Sequence, residues 1–141
     1  VNAGAKTSSY VFPVKGKTFS KFTKNGSTFS LSTPITGNTV LNCVYVNTPK
    51  PAKAKVKFTA QKKKVKLALT KIKNCVGYEI KYANNKKMKK AKTKTTTAKT
   101  YTIKKLKSKK KVYIQVKGYN YDSAGQKVYS SRVLKKTVKV K

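Results

Sequence analysis

Val112-Tyr113-Ile114-Gln115-Val116-Lys117-Gly118-Tyr119 alternates apolar and polar residues with a period of two. Such a run reads as a strand with one face buried and one face wet, because successive side chains of a strand point to opposite sides. Val112, Ile114 and Val116 take the dry face, and Tyr113, Gln115 and Lys117 the other.

The same pattern recurs on both sides. Upstream, Val65, Leu67 and Leu69 are interleaved with Lys64, Lys66 and Ala68. Tyr78, Ile80 and Tyr82 alternate with Glu79 and Lys81, and Tyr101 and Ile103 with Thr102 and Lys104. Downstream, Val138 and Val140 alternate with Lys139 and Lys141. Repeated short runs of this kind, separated by polar turns, predict an antiparallel sandwich with one buried face per sheet. Residues 86–99 hold almost no apolar side chain and are expected to form a weak edge strand with loops.

The first 48 residues differ. Lys24-Asn25-Gly26-Ser27 is a hairpin-turn signal between Phe19–Phe22 and Thr28–Leu31. Pro34 interrupts the second run, and residues 39–46 read as a further strand. Pro49 and Pro51 mark an extended, semi-rigid connector. The expected organisation is therefore all-β. A small unit occupies 1–48, a Pro/Lys linker 49–53 and an antiparallel sandwich 54–141.

Charge sets the chain apart. It has 141 residues with 36 Lys+Arg, two acids and no His, for a net charge of +34. Five of the basic residues and neither acid lie in 1–48, which gives +5. The other 31 and both acids lie in 49–141, which gives +29. All but Arg132 are lysines.

Two resemblances sharpen this reading. Residues 52–141 resemble a fibronectin type III domain of the Lys-rich kind found in surface proteins of Gram-positive gut bacteria. The resemblance is carried by Val65–Thr70, Gly77–Tyr82, Tyr101–Leu106, Val112–Tyr119 and Tyr129-Ser130-Ser131. The strand-B tryptophan of that family falls on Thr70, the corner tyrosine on Val112, and a frequent aromatic after Tyr-Ser on Arg132. Residues 1–47 resemble the C-terminal part of a Listeria–Bacteroides repeat, the internalin-type B-repeat. Gly16–Phe22 and Phe29–Leu41 carry that match, with Phe22 in a tryptophan position. The resemblances imply a β-grasp-like repeat unit followed by a fibronectin-like sandwich, extracellular or cell-wall associated and without catalysis.

The residue inventory argues in the same direction. General acid–base chemistry usually uses His or paired carboxylates, and Glu79 and Asp122 are far apart in sequence. Glu79 reads as a surface counter-charge, and Asp122 as the cap of a hairpin loop at Tyr121–Gly125. A Lys–Asn isopeptide bond needs a buried lysine beside a carboxylate, and Glu79 alternates outward. Two cysteines cannot supply the four ligands of a zinc site. No metal or cofactor is expected, and the apolar runs are too short for a membrane span. The chain opens without Met or a leader, which reads as a mature fragment.

In fibronectin-like domains the turn holding Cys75 lies at the pole of the N-terminus, which places it to meet Cys43. Such a bridge would contribute about 3–4 kcal/mol by loop entropy. Two free thiols are the alternative.

The lysine clusters are the candidate site. They are Lys62-Lys63-Lys64, Lys86-Lys87, Lys89-Lys90, Lys104-Lys105 and Lys109-Lys110-Lys111, with Tyr113, Tyr119 and Tyr121 as interleaved exposed aromatics. Lysines attract phosphates and sulfates without reading sequence, whereas base-specific contacts favour Arg forks. The expected partners are anionic polymers such as teichoic acid, extracellular DNA or anionic glycans. The competing reading is a soluble spacer whose lysines guard strand edges. The oligomeric state is left open.

Overall fold

The computed structural model describes residues 12–141. Residues 1–11, which belong to the first expected unit, lie outside the described residues. The described residues form strands and turns with no helix. They fall into two compact units.

The first unit runs to Thr48 and also holds Tyr121–Gln126. Its strands are β1 (Lys17–Lys24), β2 (Ser27–Phe29) and β3 (Asn42–Asn47), paired antiparallel in the order β2-β1-β3. Asn25 and Gly26 both have positive φ, at 49° and 78°. Lys24 therefore pairs with Ser27 across a two-residue turn whose twist suits a hairpin. A bulge in β1 shifts the register between Phe19 and Lys21. The extra residue brings Phe19 and Phe22 onto one face, with ring centroids 4.8 Å apart. Tyr45, opposite Phe19, packs edge-on at 6.2 Å. The aromatic Gly16–Phe22 element thus supplies the apolar face of this sheet.

Asp122 organises the rest of this unit. One carboxylate oxygen accepts from the Ala124 and Gln126 amides, both at 2.9 Å, and the other from the Gly16 amide at 2.7 Å. Ser123 Oγ engages both the amide and the carbonyl of Val14 at 2.9 Å. Sequence reading gave Asp122 a local capping role within the sandwich. The structure adds the contact to Gly16 and packs residues 121–126 with the first unit.

The second unit holds residues 49–120 and 127–141. Its strands are β4 (Lys55–Gln61), β5 (Lys64–Thr70), β6 (Gly77–Ala83), β7 (Lys92–Thr96), β8 (Thr100–Ile103), β9 (Lys111–Tyr121), β10 (Lys127–Tyr129) and β11 (Leu134–Lys139). One sheet is β4-β5-β8. The other is β10-β9-β6-β7, with β11 also pairing β9. The β4–β5, β5–β8, β6–β7, β6–β9 and β9–β11 pairings are all antiparallel. This is the antiparallel sandwich that the alternating runs predict. The Lys-Thr segment forms the edge strand β7, as its lack of apolar side chains requires.

The core is built by the alternation itself. Val65 and Leu67 of β5, Ile80 of β6, Ile103 of β8, and Val112, Ile114 and Val116 of β9 are each under 2% exposed or nearly so. Each such burial is worth about 1.5–3 kcal/mol. At the corner-tyrosine position Val112 fills the core in place of an aromatic ring. At the tryptophan position Thr70 is exposed, and its carbonyl accepts the Tyr78 hydroxyl at 2.5 Å. Burial, with Cys75 alongside, pushes the Tyr78 hydroxyl up to about 12.

Tyr119 was expected at the surface, but it is 4% exposed. Its partner across the ladder is Gly77, whose missing side chain leaves room for the ring. A Cβ on Gly77 would lie 2.5 Å from the Tyr119 hydroxyl and 2.9 Å from the Thr96 carbonyl. Tyr129 packs edge-on against Tyr119 at 6.3 Å, and Lys127 Nζ sits 4.7 Å from the Tyr119 ring centre. Cys43 and Cys75 are free thiols, so the bridge weighed in the sequence is not formed. Cys75 donates instead to its neighbour Gly77 O at 3.1 Å.

Two outcomes are expected. Gly77→Ala should destabilise the sandwich by about 1–3 kcal/mol in denaturant unfolding, because Thr96 is backbone and cannot yield cheaply. A loss below about 0.5 kcal/mol would contradict this packing. Donated amides, that of Gly16 foremost, hold the Asp122 carboxyl below its ordinary value of 3.8. A depressed folded-state value adds stability above that ordinary value and loses it as pH falls through the folded one. Acid titration below about pH 4 should release the amides of Gly16 and Ala124 in Asp122 wild type. Asp122→Asn should weaken the first unit already at neutral pH, seen as faster amide exchange there.

Candidate functional site

All twelve lysines singled out in the sequence are exposed. Lys62 and Lys63 form the β4–β5 turn, and Lys64 opens β5. Lys86, Lys87, Lys89 and Lys90 lie in the β6–β7 loop. Lys104, Lys105, Lys109 and Lys110 lie in the β8–β9 loop, and Lys111 opens β9.

Backbone hydrogen bonds gather these loops at one pole of the sandwich. The Lys63 amide donates to Lys141 O at 3.2 Å, and the Leu106 amide to Lys63 O at 2.9 Å. The Lys109 amide donates to Val140 O, and the Val140 amide to Lys110 O, both at 2.9 Å. The β4–β5 turn, the β8–β9 loop and the residues after β11 are thereby fixed to one another. Leu106, 8% exposed, anchors the β8–β9 loop in the core while Lys104, Lys105 and Lys107 stay outside. A cleft of about 390 Å³ joins this loop to the β6–β7 loop.

The lysine loops have defined backbones. Lys63, Lys90, Lys105 and Lys109 all have φ between 52° and 61°. That left-handed conformation is uncommon outside Gly, Asn and Asp, so the loop hydrogen bonds must hold it. In the β6–β7 loop, the Asn85 side-chain oxygen accepts the Lys89 amide, and its side-chain nitrogen donates to Lys89 O, both at 2.9 Å. This two-way clamp closes a five-residue loop and fixes where its cations stand.

Neither acid is among the residues that line the clefts at the pole. Glu79 sits mid-strand in β6 and accepts the Tyr129 hydroxyl at 2.8 Å. Lys117 lies 5.2 Å from that tyrosine ring centre. Asp122 belongs to the first unit. Of the three tyrosines expected among the lysines, Tyr113 is half-buried and lines two clefts near the pole, whereas Tyr119 is buried over Gly77.

The sequence reading missed Lys92 and Lys107, which line the same cleft. It also left out Lys135 and Lys136, which flank Tyr113 in a neighbouring cleft. Strand counting contained the signal. In a sandwich of antiparallel strands, alternate turns fall at the same pole, so the turns after β4, β6 and β8 belong together.

The arrangement presents many exposed ammonium groups on constrained loops, with no Asp or Glu side chain lining the clefts between them. Among the described residues, no group of three or more Cys, Asp or Glu side chains is placed to hold a metal ion. No helix among them is long and apolar enough to cross a membrane.

Asn85→Ala should remove the clamp and cost about 1 kcal/mol of local stability. The Lys89 amide should then exchange roughly fivefold faster, with core amides such as Ile114 unchanged. Unaltered exchange at Lys89 would contradict the clamp.

No family model matches the chain, and no curated protein matches it. Among solved structures, the FN1–FN3 domains of chicken CNTN1 are similar at 22% identity, with a TM-score of 0.43. The likeness covers 71% of this chain and 36% of that one. The sandwich assignment rests on the strand pairing described above and not on that likeness.

Proposed function

We propose that this chain is a non-catalytic, extracellular bacterial surface module that adheres through its lysine pole. It takes anionic polymers such as teichoic acid, extracellular DNA or anionic glycans, without reading their sequence. The observation that carries this reading is the convergence of five lysine clusters at one pole with no Asp or Glu side chain lining its clefts. Lysine is a compact, strongly hydrated point charge. It attracts phosphate or sulfate at range and imposes little geometry. Affinity therefore comes mainly from released counterions and falls steeply with salt. Extracellular or cell-wall placement draws on the family resemblances of the sequence.

A structural spacer, alone or as an accessory domain of a larger secreted hydrolase, is the second reading. It has its own supporting observation. Exposed Lys55 and Lys57 lie on edge strand β4, and Lys92 and Lys94 on edge strand β7. Charges there block edge-to-edge pairing and account for those lysines without any ligand.

Heparin and single-stranded DNA binding across a salt series separates the two readings. Engagement of about six phosphates should lower affinity by roughly four powers of ten per tenfold rise in salt. Lys104→Gln with Lys105→Gln should weaken binding and flatten the salt slope by about 1.4. A chain that binds neither polymer at low salt would be a spacer.

A further inference from the structure

Three neighbouring clefts at the pole share lining residues. The first lies between the β6–β7 and β8–β9 loops, beside Tyr82 and Leu106. Asn84 and Lys107 line it and also line a second cleft of about 460 Å³, which holds Lys109, Lys110 and Lys111. Tyr113 lines that second cleft and also a third of about 280 Å³ on β9 and β11. The third adds Lys86, Lys135 and Lys136. Twelve lysines and no carboxylate line the three together.

Resting on the polyanion reading above, we infer that the three clefts form one track for a flexible, linear, single-chain polymer with phosphate in its backbone. Three features of the track select that class. A compact anion fills one cleft and leaves the cations of the other two unmatched. Duplex DNA is stiff over about 50 nm, so it meets only the most prominent lysines and cannot turn from the loops onto β9 and β11. A glycan charged only at intervals leaves many of the close-set lysines unmatched, whereas a backbone phosphate places a charge at every repeat. Tyr82 and Tyr113 stand beside the path as apolar surface for the linking groups.

The test uses the full chain at low salt with three probes: inorganic tripolyphosphate, long linear inorganic polyphosphate, and duplex DNA. Two variants remove equal charge. Lys135→Gln with Lys136→Gln lies at the far end of the track. Lys71→Gln with Lys73→Gln lies in the β5–β6 turn, outside all three clefts. Long polyphosphate should bind more tightly per phosphate than either other probe. The track variant should weaken long polyphosphate about tenfold and reduce its salt slope by about 1.4, while tripolyphosphate changes less than about twofold. The turn variant should change both probes slightly and equally. The track is overturned if the two variants act alike on long polyphosphate, or if duplex DNA binds as tightly per charge. Absence of binding by all three probes would overturn the polyanion reading itself, which distinguishes the two failures.

Discussion

Lysines repel one another over about 8–10 Å at physiological ionic strength, and the loops at one pole of this sandwich gather them around clefts that no Asp or Glu side chain lines. The fold must therefore be strong enough to keep like charges in place. Two elements supply that strength. The first is the core of thirteen buried residues between the sheets. The second is the set of backbone hydrogen bonds that fasten the loops to one another, from Lys63 to Lys141 and Leu106 and from Lys109 and Lys110 to Val140. Neither uses a lysine side chain. The cations are thus left free for solvent or for a partner, while the chain beneath them is fixed.

That division explains why much of the fold was legible in the sequence and much of the site was not. Val65, Leu67, Ile80, Ile114 and Val116 announce buried faces because burial acts through side-chain type and period two. Asn25-Gly26 announces its turn because positive φ favours those residues. Position in space is different. Nothing about Lys63 or Lys109 in the sequence says that their amides bond to the residues after β11, and lysine composition carries no information about which loops meet. Strand counting groups the turn that holds Lys107 with the other lysine turns, but nothing in the sequence tells which residues of β7 and β11 line the clefts, so Lys92, Lys135 and Lys136 were not legible. Tyr119 was misread because its burial depends on a glycine 42 positions away in the chain, paired with it only by register.

The first unit shows the same contrast. Its hairpin and the strand after it could be read from turn residues and alternation. The bulge that turns Phe19 and Phe22 to the same face could not, because a strict period of two places them on opposite faces. Asp122 was legible as a cap, since Asp commonly accepts amides of its own loop. Its bond to Gly16, 106 residues earlier, was not.

The central claim is that binding is a property of one pole and not of a uniformly basic surface. Amide chemical-shift mapping of the chain, titrated with linear polyphosphate at low salt, tests it most directly. The expected result is a contiguous set of perturbed amides in the β4–β5 turn, the β6–β7 loop and the β8–β9 loop, with little change at Lys71, Lys73 or Lys99. Perturbation spread evenly over all exposed lysines, or centred on the β5–β6 turn, would contradict the account.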